Sequence, residues 1–290
     1  MEARTDLAVE SLDFAGDLAP EGVAREVFRK NGVEVTRVRV TSAEGAKRLG
    51  KPQGEYLTID TDDFKAATGN FAIQVDTIAE LIAPLIPQEA ERPVLVAGLG
   101  NLQITPDALG PRAVRYTLAT RHISRELAEE IGLSGLRPVA VIATGVLGQT
   151  GIETAELVAS VAEELKPSCV IVIDALAARS VDRLATTVQI SNTGISPGSG
   201  VQNRRKELSR ETLGVPVVSV GVPMVVDMAT VACDMLGAEA GPVSEKGRTM
   251  MVTPREIDLA VEHAAKTVAF AINRALQPHL SLEDLTGLVG

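Results

Sequence analysis

Two aspartates, Asp107 and Asp174, each come shortly after a short apolar run, and acids placed in this way can do chemistry as a pair. Two carboxylates in one site push their pKa values apart. One stays ionised and activates a water, while the other keeps its proton and assists a leaving group. The first acid belongs to Pro93-Val-Leu-Val-Ala-Gly-Leu-Gly-Asn-Leu-Gln-Ile-Thr-Pro-Asp107. Pro93 to Ala97 reads as a buried strand, because a brief Val/Leu run bounded by Pro and Gly suits a central parallel strand. Gly98 and Gly100 turn the chain, the Thr105 hydroxyl caps a new helix, Pro106 takes its first position and Asp107 falls in its first turn. The second acid ends the run Cys169-Val-Ile-Val-Ile-Asp174. Plainer roles stand beside these: Asp107 as an acid on a helix dipole, worth about 0.3–1 kcal/mol, and Asp174 as a turn or cap residue.

Other chemistries find less support. Cys169 and Cys233 lie in apolar sequence without a Cys-x-x-Cys spacing or a neighbouring histidine, and His122, His263 and His279 occupy helical or terminal polar contexts. No Gly-x-Ser-x-Gly elbow occurs, and no His-Glu-x-x-His spacing. A metal would need a third group beside Asp107 and Asp174, so no cofactor or metal is expected. Gln103 stands where a dinucleotide turn needs its third glycine, which leaves a nucleotide reading weakly supported. The basic run Arg204-Arg205-Lys206 follows a Gly/Ser/Asn-rich stretch and is either a solvated helix start or a patch that pairs with carboxylates.

Composition narrows the partners. A formal charge of −10 and a pI near 5.0 argue against a surface that grips nucleic acid through phosphates. Aromatics make up 2% of residues with no Trp, so base-stacking platforms are missing. The amino terminus lacks the apolar core of a signal peptide and no run is long enough to span a bilayer, which gives a cytoplasmic expectation with no membrane partner.

The elements that must position the two acids follow from periodicity. Strands are expected at 34–40, 55–61, 93–97, 138–144, 169–174, 186–191 and 215–226; helices at 71–86, 153–165, 226–236 and 254–276, with one or two more across 108–131. Strand–loop–helix alternation implies parallel strands with right-handed crossovers. The expected fold is α/β, a three-layer, mostly parallel sheet with helices on both faces, forming a single domain over 1–290. Residues 1–10 are expected as an exposed arm and 237–250 as a flexible loop. Asn101 to Asp107, Thr144 to Thr150 and Asp174 then share the carboxyl edge of the sheet, where ligands bind in such folds.

Several long segments go beyond such patterns. Arg4-Thr-Asp-Leu-Ala-Val-Glu10, Gly98-Leu-Gly-Asn101 with Thr105-Pro-Asp-Ala-Leu-Gly-Pro111, Val172-Ile-Asp-Ala-Leu-Ala-Ala-Arg-Ser180, Ile190-Ser-Asn-Thr-Gly-Ile-Ser-Pro-Gly-Ser-Gly200 with Asn203-Arg-Arg-Lys-Glu-Leu-Ser209, and Met251-Val-Thr-Pro-Arg-Glu-Ile-Asp258 closely resemble the germination proteases of spore-forming Firmicutes. The resemblance spans nearly the whole chain. It implies an aspartic-type endopeptidase that starts the degradation of small acid-soluble spore proteins, with catalytic acids matching Asp107 and Asp174. It also implies a homotetramer in the forespore or spore core, and a phosphorylase/hydrolase-like fold related to the hydrogenase maturation proteases. The histidine that completes the nickel site in those relatives has no counterpart here. Family members remove a propeptide at a Thr-Asp-Leu-Ala sequence, which places the cut between Asp6 and Leu7, with a propeptide that is very short or not contained in this sequence. Asn101, Arg204 and Arg205 are the candidates for binding substrate. A metal-assisted peptidase on the same fold and a spore-protein binding module are the rival readings.

Overall fold

The computed structural model describes residues 5–14, 19–65, 70–89, 91–130, 132–197, 206–236, 244 and 246–290. Runs of Val, Ile and Leu bounded by turn residues form the strands: β1 Val23–Lys30, β2 Val33–Val40, β3 Gly54–Asp60, β4 Val94–Gly98, β5 Val139–Ala143, β6 Cys169–Ala178, β7 Thr187–Ser191, β8 Val217–Asp227 and β9 Met251–Val252. They join in one 9-stranded sheet of order β1-β2-β3-β7-β8-β6-β4-β5, with β9 beside β8.

The sheet has two halves of different character. Strands β8, β6, β4 and β5 run parallel, as their long crossovers require. From β1 through β2, β3 and β7 to β8 the neighbours are antiparallel. The α/β class and its parallel centre are as expected; the antiparallel extension is larger than the sequence suggested. Strand β1 escaped the periodicity because most of its side chains are exposed or half-exposed. Its pairing with β2 is nevertheless signalled by Asn31-Gly32, whose positive φ values of 52° and 83° suit the tight hairpin turn.

Helices cover both faces. On one, Phe71–Ile82 and the long helix Ile257–Leu276 pack over the sheet, their apolar stripes meeting Val94, Val96, Ile171 and Ile173. Small residues at Ala260, Ala264, Ala265 and Ala269 let the long helix approach closely. On the other face, Thr154–Leu165 buries Ala155, Val158 and Ala162 against Leu95, Val170 and Val172. Among the described residues of the stretch 108–131 the helices are short, Leu109–Ala113 and Arg125–Glu130, with a 3-10 turn, Val114–Tyr116, between. Most of the expected loop at 237–250 lies outside the described residues. No helix among the described residues is long and apolar enough to cross a membrane.

The exposed arm requires correction. Leu7, Ala8 and Val9 are fully buried and Glu10 is 5% exposed, so the segment is part of the packed structure from Leu7 onward. Leu7 and Val9 enter a cluster with Leu176, Ala178, Leu184 and Val226, while Ala8 and Leu12 meet Val38, Val40 and Tyr56. The physical reason is a helix, Ala8–Phe14, with apolar residues on two sides, each matched by an uncovered part of the sheet.

Candidate active site

The carboxyl ends of β4 and β5 stand level with Ile173 of β6, since Gly98 pairs with both Ala143 and Ile173. Beyond Gly98 the chain makes a compact corner. The Asn101 N–H donates to the Asp107 main-chain oxygen at 3.0 Å and to its carboxylate at 2.9 Å, and the Asp107 N–H returns to the Ile104 oxygen at 2.8 Å. Gly100 makes this closure possible. Its φ of +114° belongs to the glycine region, and a Cβ there would lie 2.1 Å from the Asp107 oxygen. Gly110 then crosses the strand ends so closely that a Cβ would meet the Leu99 oxygen at 2.3 Å and the Ile173 oxygen at 2.6 Å.

Asp107 sits in a 3-10 turn, Thr105–Asp107, with Pro106 in its opening positions. Thr105 is not a cap: its hydroxyl instead donates to Asp258 at 3.1 Å, at the start of the long helix. The turn packs against β6 and β8. Asp174 lies on β6, just past the end of the β4 pairing, and is 6% exposed. The strand does not stop there, as the sequence suggested, but continues to Ala178, with Asp174 paired to Gly221 of β8. Its carboxylate accepts the Ala175 N–H at 2.9 Å.

The segment Thr5 to Glu10 docks on the same face of the sheet as Asp174. Strand alternation puts Asp174 on one side with Leu176 and Ala178, the residues that Leu7 and Val9 cover. The Asp6 N–H donates to the Ala177 oxygen at 2.9 Å, and the Ala177 N–H donates back to the Asp6 carboxylate at 2.8 Å. The Glu10 carboxylate accepts N–H groups from Arg179 and Ser180 at 2.8 and 2.9 Å, together with the Thr5 hydroxyl. Across the sheet, Gln189 of β7 and Asp174 of β6 both pair with Gly221, so only a glycine separates their positions on that face. Two strand spacings put their Cα atoms roughly 10 Å apart.

Among the sequence candidates, Asp6 and Leu7 dock on β6 beyond Asp174, and the turn that carries Asp107 packs against the same strand. Asn101 is mostly buried, its side-chain Oδ1 accepting the Gln103 N–H at 2.9 Å and Gln149 Nε2 at 2.8 Å, which ties the β4 corner to the loop after β5. Arg204 and Arg205 lie outside the described residues. Sequence reasoning missed Glu10, Lys51 and Gln189. For Gln189 a signal existed, an amide inside the apolar strand Thr-Val-Gln-Ile-Ser; for Lys51 there was none.

Residues 5–238 match a family model described as Germination protease. This chain belongs to the germination protease family. The germination protease of Clostridium perfringens (strain SM101 / Type A) is 43% identical over 317 residues, with 97% of each chain covered. That of Clostridium tetani is 40% identical, with 98% of each covered, and that of Priestia megaterium 36%, with 97% of this chain and 95% of that one. The family assignment makes the chain a germination-type endopeptidase. A [NiFe] hydrogenase maturation protease, HycI from Thermococcus kodakarensis, is a fainter likeness at a TM-score of 0.37 and 16% identity, covering 66% of this chain and 98% of that one.

A bound metal needs several converging donors. Among the described residues no three His, Cys, Asp or Glu side chains form such a group. His122 and His279 are exposed, and His263 turns its Nδ1 to the Phe64 oxygen at 2.9 Å. Among the described residues the donor set does not fit a bound metal.

Proposed function

We propose that this germination protease cleaves small acid-soluble spore proteins with an aspartic-type mechanism, and that it is made as a zymogen that cuts its own Asp6–Leu7 bond. Asp107 and Asp174 are the catalytic acids in this reading. The ionised member takes a proton from water, which attacks the substrate carbonyl carbon, and the protonated member assists departure of the amine. The observation that carries the proposal is the docking of Asp6–Leu7 on the strand and face that bear Asp174, with the Asp107 turn packed against the same strand. An acid followed by an apolar residue is thereby docked on the strand that bears Asp174.

The finer expectations belong to the same reading. The chain works as one domain and as a homotetramer in the forespore or spore core, and Arg204 and Arg205 receive the acidic residue of the substrate. Asn101 contributes by fixing the corner that carries Asp107.

The test uses Asp107→Asn and Asp174→Asn in the full chain, with a purified small acid-soluble spore protein as substrate. Each variant is expected to lose at least about 1,000-fold in cleavage while keeping the parent's thermal midpoint. Cleavage near the parent rate in either variant overturns the assignment.

A further inference from the structure

The Asp6–Leu7 peptide is held by more than burial requires. The Asp6 carbonyl oxygen accepts a hydrogen bond from Lys51 Nζ at 2.9 Å and a second from Gln189 Nε2 at 3.0 Å. Gln189 Oε1 accepts the Ala8 N–H at 2.7 Å, which fixes the end of the carboxamide that faces Asp6. Lys51 Nζ also reaches the Thr5 carbonyl at 3.1 Å. Burial pulls the Lys51 ammonium below its ordinary 10.5, and the charges of Asp6 and Glu10 oppose that shift. One donor satisfies an ordinary amide oxygen. Two donors at these distances, one of them cationic, suit an oxygen on which negative charge grows.

Resting on the reading that the chain cuts its own Asp6–Leu7 bond, we infer that Lys51 and Gln189 are further catalytic residues of that cut, acting as the donors that hold the Asp6 oxyanion. Water adds to the Asp6 carbonyl carbon, forming a C–O bond and moving the π electrons onto the oxygen held by Lys51 and Gln189. Collapse of this intermediate breaks the bond to the Leu7 nitrogen. Both protons of the water end on that nitrogen, leaving a carboxylate on Asp6 and an ammonium on Leu7. The Ala177 N–H, by binding the Asp6 side chain, makes the same site select an acid before the cut.

Gln189→Glu separates this role from a structural one. The carboxylate keeps the oxygen that accepts the Ala8 N–H but loses the donor to Asp6. In the full chain, release of residues 1–6 followed by mass spectrometry is expected to slow about 100-fold at neutral pH. The deficit against the parent at the same pH should shrink to less than about tenfold below about pH 4, where the carboxyl regains a proton to donate. Lys51→Met should slow release about 100-fold, and Lys51→Arg, which restores a cationic donor, should stay within about tenfold of the parent. A Gln189→Glu chain that matches the parent at neutral pH, or a deficit that does not change with pH, overturns the proposal. A parent chain whose new amino terminus is not Leu7 overturns the underlying bond assignment as well. A parent cut at Leu7 alongside an unimpaired Gln189→Glu overturns only the role of the donors.

Discussion

The corner that carries Asp107 and the segment that carries Asp6 meet near the same strand but are built in opposite ways. The corner closes on itself. Its hydrogen bonds join Asn101 to Asp107 and Asp107 to Ile104, and its shape comes from Gly100 and from Pro106. The Thr5–Glu10 segment makes its main contacts far away in sequence, to Ala177, Arg179, Ser180 and Gln189. A local device presents an acid rigidly, whereas a remote one holds a peptide in place until something changes it. The first kind is written in neighbouring residues; the second appears only when the sheet is assembled.

Substitutions can break this contrast, beginning where the effect is largest. Leu7→Ala empties a fully buried position in the segment's cluster and is expected to cost roughly 2–5 kcal/mol in chemical denaturation. Gly100→Ala should instead damage activity more than folding. Strain at φ +114° costs roughly 1–3 kcal/mol, while displacement of Asp107 lowers spore-protein cleavage about 100-fold. Equal losses of activity and stability in both variants would erase the distinction drawn between them.

Smaller effects sharpen it. Cys169 opens β6, and burial pushes its thiol from an ordinary 9.0 up to about 11. The folded chain therefore holds this proton where the unfolded chain releases it. That contribution is intact below pH 9.0 and is lost as pH rises to about 11, an effect on the order of 2 kcal/mol in denaturation midpoints that Cys169→Ala should remove. The exposed pair Arg125–Glu91, at 2.9 Å and far from both regions, serves as the control. Glu91→Gln should move stability by less than about 1 kcal/mol and leave cleavage unchanged.

The legible parts of the molecule were those with local causes. The buried run Val94–Gly98, the turn at Gly98 and Gly100, and the early-turn position of Asp107 all follow from adjacent residues. So does the parallel centre of the sheet, through its strand–helix alternation. Asp174 was found as a candidate, but its strand extends to Ala178 because β8 continues to pair with it after β4 has ended. Nothing near residue 174 announces that. The buried position of Leu7 to Glu10 was hidden for the same reason, since the surfaces that cover it come from β2, β3, β6 and β8. Lys51 follows a helix capped by Gly50 and would pass for a solvated lysine, until the fold sets its ammonium against the Thr5 and Asp6 carbonyls.

The central claim is that Asp174 acts on the peptide docked beside it. Its most direct test is a time course of the amino-terminal mass of the full chain, parent against Asp174→Asn, at matched concentration. The account predicts loss of residues 1–6 from the parent, leaving Leu7 as the new terminus, and an intact Asp174→Asn chain with an unchanged thermal midpoint. Release of the same six residues from Asp174→Asn at the parent's rate would contradict it.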